Sequence, residues 1–313
     1  MKILLATDGS DSAKAAIDSL LRFPFPAGSE LILITVIEKE LYKSKKKTEL
    51  TEEQLALLEQ TKAMLKDAAE DLLADAEAQL AGTGWRCTRL IREGHPSREI
   101  VRAAKKQAVD LVVVGSHGLG GVKRFLLGSV SDQVLAYARC SVLIVRSPQT
   151  EPHPEYRILL TYDDSAPARQ AVEFCSGLSL DPQSQVSILT VLPLLKLYRQ
   201  DVKQRLSWVW KEKKKLAQKS LERLSNEVSW STPQVSTQLR EASDVSQEIL
   251  KMAEEIHADL VVLGHKGKGA IEKFLLGSVT TRIAHHAPCS VLAVRGGRAP
   301  SAKKPDSTVT SGS

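Results

Sequence analysis

Six glycines and two serines, spaced alike in two parts of the chain, have the makings of a phosphate cradle. Gly115-x-x-Gly118 is followed after nine residues by Gly128-Ser129, and Gly264-x-x-Gly267 after nine by Gly277-Ser278. Glycine adopts φ > 0 without penalty and lets backbone N–H groups approach a ligand with no side chain between them. A Gly-Ser pair just ahead of an apolar-periodic segment opens a helix, whose first N–H groups and positive dipole end favour an anion. Ser129 and Ser278 can cap those helices or donate to a phosphate oxygen. A purely structural reading competes, in which the glycines permit tight turns and close helix–strand packing. Neither pattern is a Gly-x4-Gly-Lys-Ser/Thr loop. Neither is the dinucleotide fingerprint, because Lys123 and Glu272 stand where its third glycine belongs.

The elements that must position these residues also occur twice. Residues 110–146 and 259–295 align without a gap, at an offset of 149 residues from Gly115 to Gly264. That offset is one domain length, so the repeat is a duplicated domain. Each half alternates short apolar runs with longer amphipathic segments, the pattern of a parallel sheet covered by helices. In the first half the expected strands are 2–6, 30–37, 86–92, 110–114 and 141–146. Helices are expected near 13–21, 51–80, 97–106 and 130–137, with Asp8, Ser10 and Ser12 as candidate caps of the first. Leu58, Leu65, Leu72, Ala76 and Leu80 form the expected buried face of the long one. The second half repeats this order from Tyr156, with a long helix carrying Leu206, Val209, Trp210, Leu216, Leu221 and Leu224. The expected division is a domain over 1–147, a proline-rich linker over 148–155 and a domain over 156–296. The tail, 297–313, lacks periodic apolar residues and reads as disordered.

Composition excludes several classes. The formal charge is +6, but its basic and acidic residues interleave, and only 4% of residues are aromatic. No basic-plus-aromatic surface for nucleic acid results. No apolar stretch reaches the ~20 residues of a membrane helix, and no signal-peptide core is visible. Cys87, Cys140, Cys175 and Cys289 form no C-x-x-C pair and read as free thiols of a reducing compartment, which makes the expected location cytoplasmic.

With the early strand–Asp segments Ile3-Leu-Leu-Ala-Thr-Asp8 and Ile158-Leu-Leu-Thr-Tyr-Asp163, the Gly-x-x-Gly-x9-Gly-Ser element resembles the ATP-binding branch of the universal stress protein family, in its tandem two-domain form. The resemblance covers about 1–146 and 156–295. It implies an α/β fold of two Rossmann-like domains of the adenine nucleotide alpha hydrolase type, each a five-stranded parallel sheet sandwiched by helices. It also implies a stress-response protein that binds ATP, with or without Mg, and leaves ADP and AMP open. Thr7 and Asp8, and Asp163 in the second copy, would lie at the ribose or adenine edge; capping of the first helix is the competing role for the acids. Val36 and Val191 would lie against adenine, or serve only as core valines. Gly115, Gly118, Gly128 and Ser129 would hold phosphates in copy one, with Val130 and Ser131 assisting. Gly264, Gly267, Gly277, Ser278, Val279 and Thr280 would do so in copy two. His117 and Lys266, inside the first loop of each motif, contact phosphate or solvent.

The copies differ at the mouth of the site. Thr7 becomes Tyr162 and Gly9 becomes Asp164, and the turn Gly94-His-Pro-Ser97 becomes the longer Ala242-Ser-Asp-Val-Ser246. His285-His286-x-x-Cys289 lacks further metal ligands and reads as a helix end. Thr7-Asp-Gly-Ser-Asp-Ser12 departs from a pyrophosphatase loop, with Asp8 where a glycine is needed. No nucleophile with a neighbouring base is present, so slow ATP hydrolysis is the most the chain is expected to catalyse. A ligand-free dimerisation scaffold of the same family is the alternative reading. The strands near 142–146 and 291–295 would be bare edges unless paired, and the resemblance implies that they pair antiparallel, making a pseudo-dimer within one chain. Pairing between chains, an unidentified protein partner, and mobile lids over 40–50 and 194–205 complete the expectations.

Overall fold

The computed structural model describes residues 1–26, 28–39, 51–118, 127–147, 155–194, 200–230, 234–267 and 276–296. The first half runs β1 (Lys2–Ala6), α1 (Asp11–Arg22), β2 (Glu30–Ile37), α2 (Glu52–Gln79), β3 (Arg86–Glu93), α3 (Pro96–Lys106), β4 (Leu111–Gly115), α4 (Ser129–Tyr137) and β5 (Ser141–Val145). The second runs β6 (Arg157–Thr161), α5 (Ala166–Ser176), β7 (Gln185–Pro193), α6 (Gln200–Glu227), β8 (Gln234–Ala242), α7 (Val245–Glu255), β9 (Leu260–Gly264), α8 (Ser278–His286) and β10 (Ser290–Val294). The linker over 148–154, the tail from 297 and the segments 40–50 and 195–199 lie outside the described residues.

Within each half the strands pair in parallel, in the orders β3-β2-β1-β4-β5 and β10-β9-β6-β7-β8. Helices cover both faces, which is why the central strands are apolar on both sides: Ile3, Leu4 and Leu5 are all buried. The halves join through the edges the sequence left bare. Strands β5 and β10 pair antiparallel, with Leu143 opposite Leu292 at the centre, so one ten-stranded sheet crosses the molecule. Because Leu143 and Leu292 are equivalent positions of the repeat, the seam has a pseudo-two-fold axis perpendicular to the sheet.

One apolar core under α1, α2, α5 and α6 is continuous across that seam. Phe23 packs edge-on against Tyr156 at 6.0 Å, and the Ser179 N–H donates to the Pro24 carbonyl at 3.0 Å. On the opposite face α3 and α4, then α7 and α8, cover smaller clusters. The buried stripe of α2 differs from expectation. It is Ala69, Leu73 and Ala76, leading into Leu80, while Leu58, Leu65 and Leu72 are half-buried. A strict seven-residue spacing drifts about 20° per heptad around a straight helix, so Leu58, Leu65 and Leu72 cannot all stay on the sheet side.

The seam is also bound by two reciprocal arginines. Arg146 Nη2 donates to the carbonyls of Ala284 (2.8 Å) and His285 (3.1 Å), at the C-terminus of α8. Arg295 Nη2 donates to Leu135 (2.9 Å) and Ala136 (3.1 Å), at the C-terminus of α4. Each domain thus satisfies the terminal carbonyls of the other domain's last helix. Burial holds both guanidinium pKa values below the usual arginine range.

Candidate functional site

The strand order reverses direction between β1 and β4, and again between β6 and β9. In open α/β sheets that reversal leaves a crevice beyond the carboxyl ends of the strands, where ligands bind. Thr7 and Asp8 leave β1 at this edge. Ser116, His117 and Gly118 leave β4 there, and the Gly128 N–H returns to the Ser116 carbonyl at 2.8 Å, bringing the start of α4 back to the same edge. The second copy repeats the closure, from the Gly277 N–H to the His265 carbonyl at 2.8 Å. Residues 119–126 and 268–275, the intervening loops, lie outside the described residues.

Asp8 is not the cap of α1. Its Oδ1 accepts the Ser10 N–H at 3.0 Å, while Ser10 Oγ caps the helix by accepting from Ala13 at 3.2 Å. The other carboxylate oxygen, Oδ2, stands 2.7 Å from where a Cβ on Gly118 would project. Copy two is built alike. Asp163 Oδ1 accepts from Ser165 at 3.1 Å, Ser165 caps α5, and Asp163 Oδ2 lies 2.7 Å from a Cβ on Gly267. A side chain at either glycine would collide with the carboxylate facing it.

Ser129 and Ser278 are not caps either. Gly128 and Gly277 occupy the N-cap positions with no side-chain cap, and the exposed serines are the first helical residues. The first intrahelical bond of α4 runs from Asp132 to Gly128 at 2.9 Å; that of α8 runs from Thr281 to Gly277 at 3.0 Å. The N–H groups of Ser129, Val130 and Ser131, and of Ser278, Val279 and Thr280, precede it and have no acceptor within their helix.

Three expectations need correction. None of the six motif glycines has positive φ, so their purpose is close approach and not a left-handed turn. Gly115 and Gly264 are packing glycines: a Cβ would stand 2.7 Å from the Ser12 carbonyl group in one copy and 2.6 Å from that of Pro167 in the other. They let the first helix of each domain lie directly on the strand. Ser131 and Thr280 are buried, and their hydroxyls donate to the Gly115 carbonyl at 2.6 Å and the Gly264 carbonyl at 2.9 Å. Those bonds tie helix to strand and engage both hydroxyls.

The remaining candidates surround the same edge. Thr7 is buried and its Oγ1 accepts the Gly9 N–H at 3.3 Å. Val36 and Val191 end the second strands half-buried against the α3–α4 and α7–α8 clusters. His117 Nδ1 lies 3.0 Å from Ser116 Oγ, and its Nε2 is buried without a hydrogen-bond partner among the described residues. Lys266 replaces it in copy two, beside His265, whose pKa is lowered by burial and by the nearby Arg295 and Lys266 cations.

Copy two's bulkier residues find partners within their own domain. Tyr162 is buried in the core, and Asp164 accepts from its hydroxyl at 2.9 Å and from Arg169 at 2.6 Å, with Arg223 of α6 at 3.6 Å. The longer turn after β8 is likewise accommodated: Asp244 caps α7 and pairs with Arg282 on α8. In copy one Ser97 Oγ makes the corresponding helix–helix tie to Gln133 at 2.6 Å. Sequence reasoning missed Arg146 and Arg295. Their recurrence at the end of the last strand in both copies was the available signal.

Two doubly wound α/β domains, each with a helix start brought back to its strand reversal, define a tandem α/β protein. Residues 1–146 and 156–295 each match the universal stress protein family, and the chain belongs to that family. It is similar to a universal stress protein of Thermus aquaticus, 35% identical over 146 residues, 46% of this chain and 97% of the relative. It is also similar to YxiE of Bacillus subtilis, 31% identical over 145 residues, 46% of this chain and 98% of that one. Among solved structures, a universal stress protein of Archaeoglobus fulgidus shares the fold with a TM-score of 0.61 at 20% identity, covering 95% of this chain and 98% of the other. Among the described residues, no helix is long and apolar enough to cross a membrane.

Proposed function

We propose that each domain binds an adenine nucleotide, ATP in the first place, and that the protein is a cytoplasmic stress-response regulator whose nucleotide state governs contact with a protein partner. One observation carries this reading. A carboxylate facing a bare glycine, beside a helix start whose first three N–H groups have no acceptor within the helix, is built twice at the strand reversal, although the surrounding side chains have drifted. The residues fit the ligand. The helix starts would take phosphate oxygens, Asp8 and Asp163 lie where ribose hydroxyls could donate, and the buried Nε2 of His117, which has no hydrogen-bond partner among the described residues, could take one from the ligand. Mg, where it accompanies ATP, would be held largely by phosphate oxygens and water.

The test is calorimetric titration with ATP of Gly118→Ala with Gly128→Ala, and of Gly267→Ala with Gly277→Ala. A Cβ on Gly128 would meet His117 Cα at 3.2 Å and the Ser116 carbonyl at 3.3 Å, and one on Gly118 would displace Asp8. No left-handed backbone is being forced, so the fold should survive, as an unshifted thermal transition would verify. Loss of one charge-assisted hydrogen bond removes ~1.5–3 kcal/mol, so each pair of substitutions should weaken its site at least about tenfold. A folded protein with all four substitutions and undiminished ATP binding would overturn the assignment in favour of a ligand-free scaffold. Mass spectrometry of ligand released from gently purified protein would separate ATP from ADP and AMP.

A further inference from the structure

The two long helices carry opposite charge. Helix α2 has eight acidic residues and two lysines, a formal −6; α6 has eight lysines and arginines and four acids, a formal +4. Both lie on the same face of the ten-stranded sheet, since Leu73 and Ala76 of α2 share one core with Leu221 and Leu224 of α6. They lie over its opposite ends, α2 against β2 and β3 and α6 against β7 and β8. Three strands of each domain separate them, β1, β4 and β5 of the first and β10, β9 and β6 of the second, so within one chain they cannot meet.

Each helix also exposes large apolar side chains among these charges. On α2, Leu57 is 64% and Met64 66% exposed, with Asp67 and Asp71 alongside; on α6, Trp208 is 69% and Leu216 59% exposed, with Lys215 and Lys219 alongside. Their spacing, seven and eight residues, keeps each apolar pair on one side of its helix. Apolar groups ringed by charge of a single prevailing sign are the ingredients of a protein interface, with the charge setting orientation and partner choice.

We propose that this face is a self-association surface, on which α2 of each chain lies against α6 of a second copy. Charge selects the arrangement. A rotation by a half-turn about an axis parallel to the strands brings the two faces together and exchanges the ends of the sheet. Both acidic helices then meet basic ones at once, and the interface closes on itself. A half-turn about the axis across the strands would instead set α2 on α2 and α6 on α6, with like charges opposed. Only a second copy carries both patches at the spacing this face requires. The seam between β5 and β10 plays no part in this contact, because its strands are already paired within the chain.

Sedimentation velocity of the full chain without added nucleotide, at low and at high salt, tests the proposal independently of the nucleotide reading. At ~100 µM in low salt the protein should sediment as a dimer of the 34.2 kDa chain, and dissociate as salt rises and screens the pairs. Lys215→Glu with Lys219→Glu should weaken association by about a hundredfold, as several weak pairs become repulsive. Asp67→Lys with Asp71→Lys should do the same. The four changes combined in one chain should restore the dimer, which a merely unfolded variant could not do. A monomeric wild type under these conditions, a dimer indifferent to both reversals, or open-ended growth in place of a closed dimer would each overturn it. So would a four-fold variant that stays monomeric while keeping the wild-type thermal transition.

Discussion

Removing Arg146 is the sharpest test of how the two domains are held together. Arg146 is only 8% exposed and its guanidinium donates from Nη2 to two carbonyls at the end of α8, while Nε is buried with no partner among the described residues. Bonds from a charged donor are worth ~1.5–3 kcal/mol each, a gross ~3–6 kcal/mol for the two, offset by ~1–3 kcal/mol for the unsatisfied Nε. Arg146→Ala should therefore cost ~2–4 kcal/mol, well above the ±0.5 kcal/mol of an ordinary surface change. The loss falls on the seam, under a core that both domains share, so the expected urea denaturation curve also broadens or splits in two. Helix α8 carries Ser278 at its other end. Arg146 of the first domain thus steadies the helix start of the second domain's cradle, and ATP affinity should fall more at site two than at site one. An Arg146→Ala protein within 0.5 kcal/mol of wild type, with one sharp transition, would refute the reciprocal-clamp reasoning.

Burial pushes the thiols of Cys175 and Cys289 up to about 12 and that of Cys140 to about 11, from an ordinary 9.0. Alkylation of the native protein at pH 8 should accordingly modify half-buried Cys87 first and the other three only on unfolding; peptide mass mapping reads the order. Those raised values contribute stability that is whole below pH 9.0 and declines as pH rises through 11–12. His265 has the opposite sign. Its folded pKa lies below the ordinary 6.5, so its contribution is present above pH 6.5 and lost as pH falls through the folded value. His265→Ser, the residue of copy one, should flatten the fall in Tm on the acid side of pH 6.5. Asp164→Gly removes a partly exposed ion network but relieves a φ of +62°, so urea denaturation should place it within ~1 kcal/mol of wild type, with site-two ATP affinity unchanged.

The fold was readable because its strands are short, wholly apolar runs separated by amphipathic segments and because every element appears twice. The same reading showed that two apolar last strands could not be left as edges, but their antiparallel pairing with each other came from the family resemblance. What escaped depended on atoms distant in sequence. Gly115 looked like part of a phosphate loop, yet its reason is the Ser12 carbonyl group against which α1 packs. Ser131 looked like a ligand hydroxyl, but it is buried in the first turn and its hydroxyl is taken by the Gly115 carbonyl. Three polar residues competed to cap α1. Ser10 won because it lies three residues before Ala13, whose N–H it accepts, while Asp8 is drawn into a turn with Ser10.

Divergence between the copies is sorted by what each position does. Where backbone meets backbone, the residues are identical: glycine at 115 and 264, glycine at 128 and 277, and arginine at 146 and 295. A side chain at Gly115 or Gly264 would separate the first helix from its strand, and one at Gly128 or Gly277 would only press on the loop before the helix. The long planar fork of arginine reaches two carbonyls from a buried position. Where side chains only fill or decorate, the copies drift apart in compensated steps. Tyr162 enters the core where Thr7 stood, and Asp164 turns to meet its hydroxyl. The Asp244–Arg282 pair takes over the helix tie of Ser97 and Gln133. Fusion into one chain makes such asymmetry usable. Asp132 reaches His285 at 3.0 Å across the seam, while the equivalent positions, Thr281 and Ala136, offer no matching pair. A dimer of identical chains would have to place every such contact twice. A fused pair can give one half the acidic helix and the other the basic one, and the charge difference between α2 and α6 is of that kind.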